Sequence, residues 1–350
     1  MLAIGADVHK KSTTFFALDE EGEPLADFNR RFRRVRSDRA GYAEVGRYLQ
    51  DRDYQVLMEN SSKTHDTCWI MEELAMNVIV GHSPDLKKIT QSDRKTDDLD
   101  AEQLAVYLLA RFAGAKQFSV CYMCSKETMM DRQLCRTAKD EMMDEGRLKR
   151  QVRSHGLTFG IDLDMFSDLR SGPARRCLHR LDDLLLNHLV GRLEDGLARR
   201  QQLEEQIVQR FAGKPTYERI DRIPYFGPVT AAYLTSFIAD IGRFRDAKAF
   251  VAALGLAPRE RNSGEKVSHC HITKKGDPHA RWLLIQSTIG HVRGCPDSPV
   301  TAFFNRKNGG SLAERKERGE AVILNRSAIV AAAAKMAAII YTLEAKDRQW

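Results

Sequence analysis

Hydrophobic and polar positions change their period along this chain, and the changes predict its elements. Leu2–Val8 is a short apolar run, and Ser12–Leu18 is rich in β-branched and aromatic residues; both read as strands. Glu20-Glu21-Gly22-Glu23-Pro24 reads as a turn, and Leu25–Val35 as a third strand with a basic face, which gives a three-strand meander. A helix at about Gly41–Leu49 follows, then a buried strand Tyr54–Met58 that ends on Glu59. Asp66–Ala75 reads as a helix and Asn77–Gly81 as a fifth strand. Leu99–Phe112 has helical period, with Leu99, Leu104, Ala105 and Leu108 on its apolar side. A meander followed by strand, helix, strand, helix is an α/β layout.

From about Lys126 to Ala212 nothing reads as strand. Leu186, Leu189, Leu193 and Leu197, then Leu203, Ile207 and Phe211, recur at helical spacing beside charged flanks such as Glu204, Glu205 and Arg210. Such a stripe needs a partner helix, in the same chain or in another as a coiled coil. Gly213-Lys214-Pro215 is a stop signal. The last third is helical at both ends and loop-like in the middle, around Asn262-Ser263-Gly264-Glu265-Lys266 and Asn308-Gly309-Gly310-Ser311. The expected division is an α/β domain over 1–125, a helical, coiled-coil connector over 126–215 and a mostly α C-terminal domain over 216–350.

Composition narrows the class. The 350 residues are 43% hydrophobic and 29% charged with 10 prolines, which excludes a disordered or collagen-like chain. No apolar run approaches the ~20 residues of a membrane span; the most apolar, Ala328–Tyr341, is broken by Lys335. The opening Met1-Leu2-Ala3-Ile4-Gly5-Ala6-Asp7 lacks a basic lead, so no signal peptide and a cytoplasmic location are expected. The seven cysteines are odd in number and irregularly spaced, which fits reduced thiols. Cys121-Tyr122-Met123-Cys124 lacks the second ligand pair of a zinc site, and His269-Cys270-His271 offers at most two ligands on one strand face. The net charge is +7 and is clustered. Arg30, Arg31, Arg33, Arg34, Arg36 and Arg39 form one group, Lys87, Lys88, Arg94 and Lys95 a second, and Arg306, Lys307, Arg315, Lys316 and Arg318 a third. One such cluster is ordinarily a solvated face; three on a basic chain point to phosphate contacts.

Four acids stand where burial is expected. Asp7 ends the first strand and Glu59 the fourth, and a buried strand should not carry an acid without a reason. Asp97 and Asp100, spaced i, i+3, fall on one face at the start of the Leu99 helix. Singly, each has a plain reading as a turn residue or a helix N-terminal acid. Together they could converge, and converging carboxylates repel unless a hard cation such as Mg²⁺ sits between them. Two such ions about 4 Å apart suit phosphodiester chemistry.

The residues around these acids carry a resemblance. Ile4-Gly5-Ala6-Asp7-Val8-His9-Lys10 is similar to the opening motif of the DEDD insertion-sequence transposases, relatives of the Piv DNA invertase whose first domain resembles the RuvC resolvase. Glu59 in Val56-Leu57-Met58-Glu59-Asn60 matches the second acid, although Asn60-Ser61-Ser62 stands where the family has Ala-Thr-Gly. Lys95-Thr96-Asp97-Asp98-Leu99-Asp100-Ala101 resembles the motif that holds the third and fourth acids, Asp97 and Asp100. Ile223-Pro224-Tyr225-Phe226-Gly227-Pro228-Val229-Thr230 resembles the family's helix–hairpin–helix turn, with Tyr225 in place of its first glycine and Gly227 expected to permit a tight backbone before amides that face a phosphate. Phe250 to Arg259, then Asn262-Ser263-Gly264, and Thr273-Lys274-Lys275-Gly276 with Arg281 complete the match, which covers about residues 2–110 and 220–290.

The resemblance is to the bridge-RNA-guided IS one-ten group, and it implies a fold and a mechanism. The first domain would be RNase H-like (RuvC-like). Mg²⁺, or Mn²⁺ in its place, would be held by Asp7, Glu59, Asp97 and Asp100. Ser263, which on its own reads as a turn serine, would attack phosphorus and form a phosphoserine link to DNA. Arg30, Arg31, Arg33, Arg34, Gly227, Arg259, Lys274 and Arg281 would contact nucleic acid. The implied partners are double-stranded DNA at element ends and target, a structured guide RNA, and further copies of the chain as a dimer or tetramer, with no membrane. Competing readings are a RuvC-like junction nuclease that uses water, an inactive nucleic-acid-binding relic, and a sugar-kinase-like ATPase; the last lacks a later Gly-rich phosphate loop.

Overall fold

The computed structural model describes residues 1–87, 97–115, 118–181, 183–263, 266–318 and 324–350, with the backbone alone at residues 87, 97, 98, 260–263, 266–270 and 315. It forms two compact units, Met1–Lys126 and Glu127–Trp350.

In the first unit, β1 (Leu2–Val8) and β2 (Ser12–Leu18) pair antiparallel from Ala3↔Leu18 to Val8↔Thr13. The stretch expected as a third strand, Leu25–Val35, is instead a short helix α1 (Ala26–Arg31) followed by a two-residue strand β3 (Val35–Arg36). Phe28 and Phe32 explain the difference. Four residues apart, they fall on one helical face, and both are buried with ring centroids 4.9 Å apart. Asn29 then bonds the amide and carbonyl of Ala17 at 2.7 and 3.1 Å, as a strand neighbour would. Next come α2 (Arg39–Leu49), β4 (Tyr54–Glu59), α3 (Thr64–Glu73), β5 (Val78–Gly81), α4 (Ser83–Lys87) and α5 (Asp97–Phe112).

The sheet order is β3-β2-β1-β4-β5, with β1, β4 and β5 mutually parallel. One face is covered by a core that includes Ile4, Ala6, Phe15, Tyr42, Val56, Met58 and Met71. The other carries Ala3 and Leu57 against Leu104, Tyr107 and Leu108 of α5. Leu99, expected on that apolar side, is 37% exposed; Ala101 takes the sheet-facing place.

The second unit opens with α6 (Lys126–Thr158), α7 (Gly172–His179) and α8 (Leu184–Phe211). The leucine stripe of α8 finds its partner in the same chain. Leu186, Leu189, Val190 and Leu193 pack with Leu148 and Val152 of α6, and Ile207 and Phe211 join Cys135 and Ala138. These contacts run the two helices antiparallel, and ion pairs Arg199–Glu141 at 2.9 Å and Arg200–Glu145 at 3.2 Å join them. Then follow α9 (Pro215–Asp221), α10 (Pro228–Ile238), a 3₁₀ turn (Ile241–Arg243), α11 (Ala247–Ala253), the hairpin β6 (Pro258–Ser263) and β7 (Lys266–Ile272), α12 (Pro278–Gly294), α13 (Pro299–Asn308), α14 (Leu312–Glu317) and α15 (Arg326–Ala345). The hairpin replaces the expected loop. The C-terminal helix also corrects an expectation: at 20 residues it is long and apolar enough to cross a membrane by length and composition alone. Here Ala328, Ala332, Ala333, Met336, Ala337 and Ile340 are buried in the unit's core, where small side chains let α11, α12 and α13 approach closely.

Candidate active site

The parallel register brings two of the four acids together. Leu2↔Tyr54 through Ala6↔Met58 are partners between β1 and β4, so Asp7 and Glu59 occupy the next register position on adjacent strands. Neighbouring strands lie about 4.8 Å apart, and residues at one register position point to one face. That face is the one α5 covers, because Gly5 and Leu57, two residues earlier, meet it. Gly5 is the reason α5 lies so close. A Cβ there would sit 1.9 Å from the Ala101 carbonyl oxygen and 2.7 Å from the Ala105 nitrogen. Ala3 joins the cluster of Leu104, Tyr107 and Leu108, while Gly5 touches Ala101, Leu104 and Ala105. Progress along β1 therefore runs toward the N-terminus of α5, where Asp97 and Asp100 stand one turn before Ala101 and Leu104.

Local contacts fix the two strand ends. The His9 Nε2, two residues on in the same motif, lies 3.0 Å from the Asp7 Oδ2. The Thr64 hydroxyl donates to the Glu59 carbonyl at 3.0 Å and accepts from the Ser61 amide at 2.7 Å. Ser83 Oγ donates to the Asn60 carbonyl at 2.7 Å. Hydroxyl-to-backbone bonds thus shape the turn where the family has Ala-Thr-Gly.

An all-carboxylate set would suit a hard cation, and two of its members, Asp7 and Glu59, are register neighbours. Among the described residues no three His, Cys, Asp or Glu side chains form a group that could hold a metal ion. The Asp97 carboxylate lies outside the described residues, as do Lys88, Arg94 and Lys95.

In the second unit, Ser263 is the last residue of β6 and pairs with Lys266. The hairpin is gripped at its base by backbone bonds. The Thr273 amide donates to Ala257 O at 2.8 Å, Lys274 N to Gly255 O at 3.1 Å and Asp277 N to Ala253 O at 3.4 Å. This crossing has no room for side chains: a Cβ on Gly276 would lie 2.2 Å from the Ala253 oxygen. Gly255 has φ +69° and Lys274 φ +55°, both in the left-handed region. The Arg281 Nη1 donates to Leu254 O at 3.0 Å and to Lys274 O at 3.5 Å, and Arg259 Nη2 to Thr273 O at 3.3 Å. Asp277, the N-cap of α12, accepts from the Tyr233 hydroxyl at 2.9 Å, and that hydroxyl accepts from Arg136 Nε at 3.0 Å. Burial, reinforced by Asp277, pushes the Tyr233 phenol up, so it stays a donor. Burial and then the nearby Arg136 hold His279 below its usual range.

The turn between α9 and α10 departs from expectation. Gly227 has an ordinary φ of −68°, and a Cβ there would meet open space. Tyr225 takes the left-handed conformation instead, with φ +71° and 57% exposure. The basic cluster Arg30, Arg31, Arg33 and Arg34 is exposed. Arg30 pairs with Asp27 at 3.0 Å, and Arg31 lies 5.2 Å from the centroid of the Phe32 ring. The side chains of Ser263, His269, Cys270 and Arg315 lie outside the described residues.

Known proteins share both ends of this chain. Residues 4–157 match the family model of DEDD-type IS110 transposases, and residues 217–298 match the "Transposase IS116/IS110/IS902 family". A "Probable family 20 transposase" of Pseudomonas aeruginosa is 32% identical over 140 residues, 40% of this chain and 41% of that protein. The "Transposase for insertion sequence element IS1328" of Yersinia enterocolitica is 31% identical over 86 residues, 25% of this chain and 26% of the relative. The chain thus spans less than half the length of these two relatives. The y4rJ protein of Sinorhizobium fredii is 28% identical over 342 residues, 88% of this chain and 81% of the relative. With a DEDD-type match at one end and an IS116/IS110/IS902 match at the other, in that order, the chain belongs to the IS110 family of insertion-sequence transposases.

Proposed function

We propose that this protein is a DNA transposase that cuts and rejoins strands by transesterification, with Ser263 as the nucleophile and Asp7, Glu59, Asp97 and Asp100 as the metal-binding acids. The observation that carries the reading is the side-by-side register of Asp7 and Glu59 on the face covered by α5, which begins at Asp97. The strand order β3-β2-β1-β4-β5, antiparallel then parallel, supports an RNase H-like first unit. Bound Mg²⁺ would neutralise the scissile phosphate and help ionise the attacking hydroxyl. The acids orient and neutralise. The Ser263 oxygen attacks phosphorus, the P–O bond to the leaving 3′ or 5′ oxygen breaks, and that oxygen takes up a proton. The covalent link keeps the phosphodiester bond's energy, so rejoining needs no ATP. Exposed arginines such as Arg31 and Arg34 contact phosphates, a structured guide RNA supplies pairing with DNA, and several copies act together; these three points are what the family resemblance implies.

The test is adduct trapping with element-end DNA and Mg²⁺. Wild type is expected to give a DNA-linked peptide containing Ser263; Ser263→Ala gives none. Asp7→Asn and Asp100→Asn are expected to lose at least about 10²-fold in cleavage with DNA affinity kept. Undiminished cleavage by Ser263→Ala would refute the serine mechanism in favour of attack by water.

A further inference from the structure

We infer that Arg281 is a positioning residue whose guanidinium locks the base of the Ser263 hairpin, rather than a phosphate contact; this rests on the reading of Ser263 as the nucleophile. Arg281 lies on the first turns of α12, outside the hairpin. Its Nη1 reaches the carbonyls of Leu254 and Lys274, one on each chain segment entering and leaving the hairpin. The two segments are also tied by Lys274 N to Gly255 O at 3.1 Å and Thr273 N to Ala257 O at 2.8 Å. The guanidinium fills the space that a side chain at position 255 would take: a Cβ on Gly255 would lie 2.5 Å from Arg281 Nη1.

Arginine is suited to this place. Its planar group holds the two Nη1 hydrogens in fixed directions toward both carbonyls, whereas a lysine ammonium rotates freely on a flexible stem. Anchorage behind the lock is firm. Asp277 caps α12 by accepting from the His279 and Ala280 amides at 2.8 and 3.0 Å, and it is held by the Tyr233 hydroxyl. A rigid path therefore runs from α6 through Arg136, Tyr233 and Asp277 to the start of α12 and on to the hairpin. β6 then delivers Ser263 at a fixed register opposite Lys266. A nucleophile placed to within a fraction of an ångström needs such support, because misplacement by about 1 Å can cost 10²-fold in rate.

Arg281→Lys and Arg281→Gln in the full chain test the proposal with three readouts. Amide hydrogen exchange at Thr273 and Lys274 is expected to rise about tenfold while exchange in α10 and α15 is unchanged. The salt dependence of binding to a random-sequence DNA duplex is expected to keep its wild-type slope, since a lost phosphate contact would lower it by about one. Ser263 adduct formation is expected to fall by at least about 10²-fold at unchanged duplex affinity and thermal midpoint. Gly276→Ala, which forces the same two segments apart, is expected to reproduce the exchange, salt and adduct results with a lowered thermal midpoint. Unchanged exchange at Thr273 and Lys274, or a slope lower by about one, overturns the inference. Absence of a Ser263 adduct in wild type instead overturns the proposed function and leaves the exchange and salt results to decide the lock.

Discussion

A single glycine sets the distance between sheet and helix at the acidic site. Gly5 has backbone atoms of α5 where its side chain would be, and no rotamer can avoid them. Gly5→Ala is expected to destabilise the protein by about 1–3 kcal/mol, read as a lower urea midpoint, and to displace the start of α5 from β1. Gly227→Ala is expected to be near neutral in the same assay, because its φ is ordinary and the space beside it is open. At this scale the acids were legible and their supports were not. Asp7 and Glu59 stood out because a charge at the end of an apolar strand needs a reason. The Arg281 lock left no such trace, since its partners are backbone carbonyls, which every residue has. Gly227 does not use a glycine's conformational freedom, while Tyr225, two residues before it, takes the left-handed conformation without being glycine.

At the scale of elements, apolar period decided what could be foreseen. Helix α2, strand β4 and helix α5 each have a clear period and fall close to their expected bounds. Leu25–Val35 misled because aromatics at positions 28 and 32 fit a helical face as well as an extended one. The β6–β7 hairpin was missed because its strands, PRERNS and KVSHCHI, have no apolar face that repeats every second residue. Joining α9 to α15, Arg219 and Glu344 form a pair at 2.7 Å, only 8% and 4% exposed, and Thr216 Oγ1 donates to the same carboxylate. Arg219 also pairs with Asp347, so it is Arg219→Met, which leaves the buried Glu344 carboxylate without its cation, that is expected to cost about 3–5 kcal/mol, measured by chemical denaturation. A paired change, Arg219→Met with Glu344→Leu, is expected to recover most of that loss.

For the molecule as a whole, acid is the weak side of the second unit. Arg170 beside Asp168, the Leu186 amide at Asp183 and the Ala249 amide at Asp246 each hold a carboxyl below its usual 3.8. Groups with depressed folded-state values stabilise the fold above about pH 4 and lose that contribution as pH falls through the folded values. Burial raises Glu145 and Asp221, which act the other way, so the thermal midpoint is expected to drop only modestly below pH 3.8, and Asp246→Asn to flatten that limb. At this scale the chain forms two compact units, Met1–Lys126 and Glu127–Trp350.

The grip at the foot of the β6–β7 hairpin is made by amides, carbonyls, two glycines and the guanidinium groups of Arg281 and Arg259, so apart from Arg259 it depends little on which side chains decorate the strands above it. Evolution can then vary those strands with little structural penalty. Transplanting residues 258–272 between family members, with both glycines and both arginines retained, is a modular way to ask what the hairpin contributes.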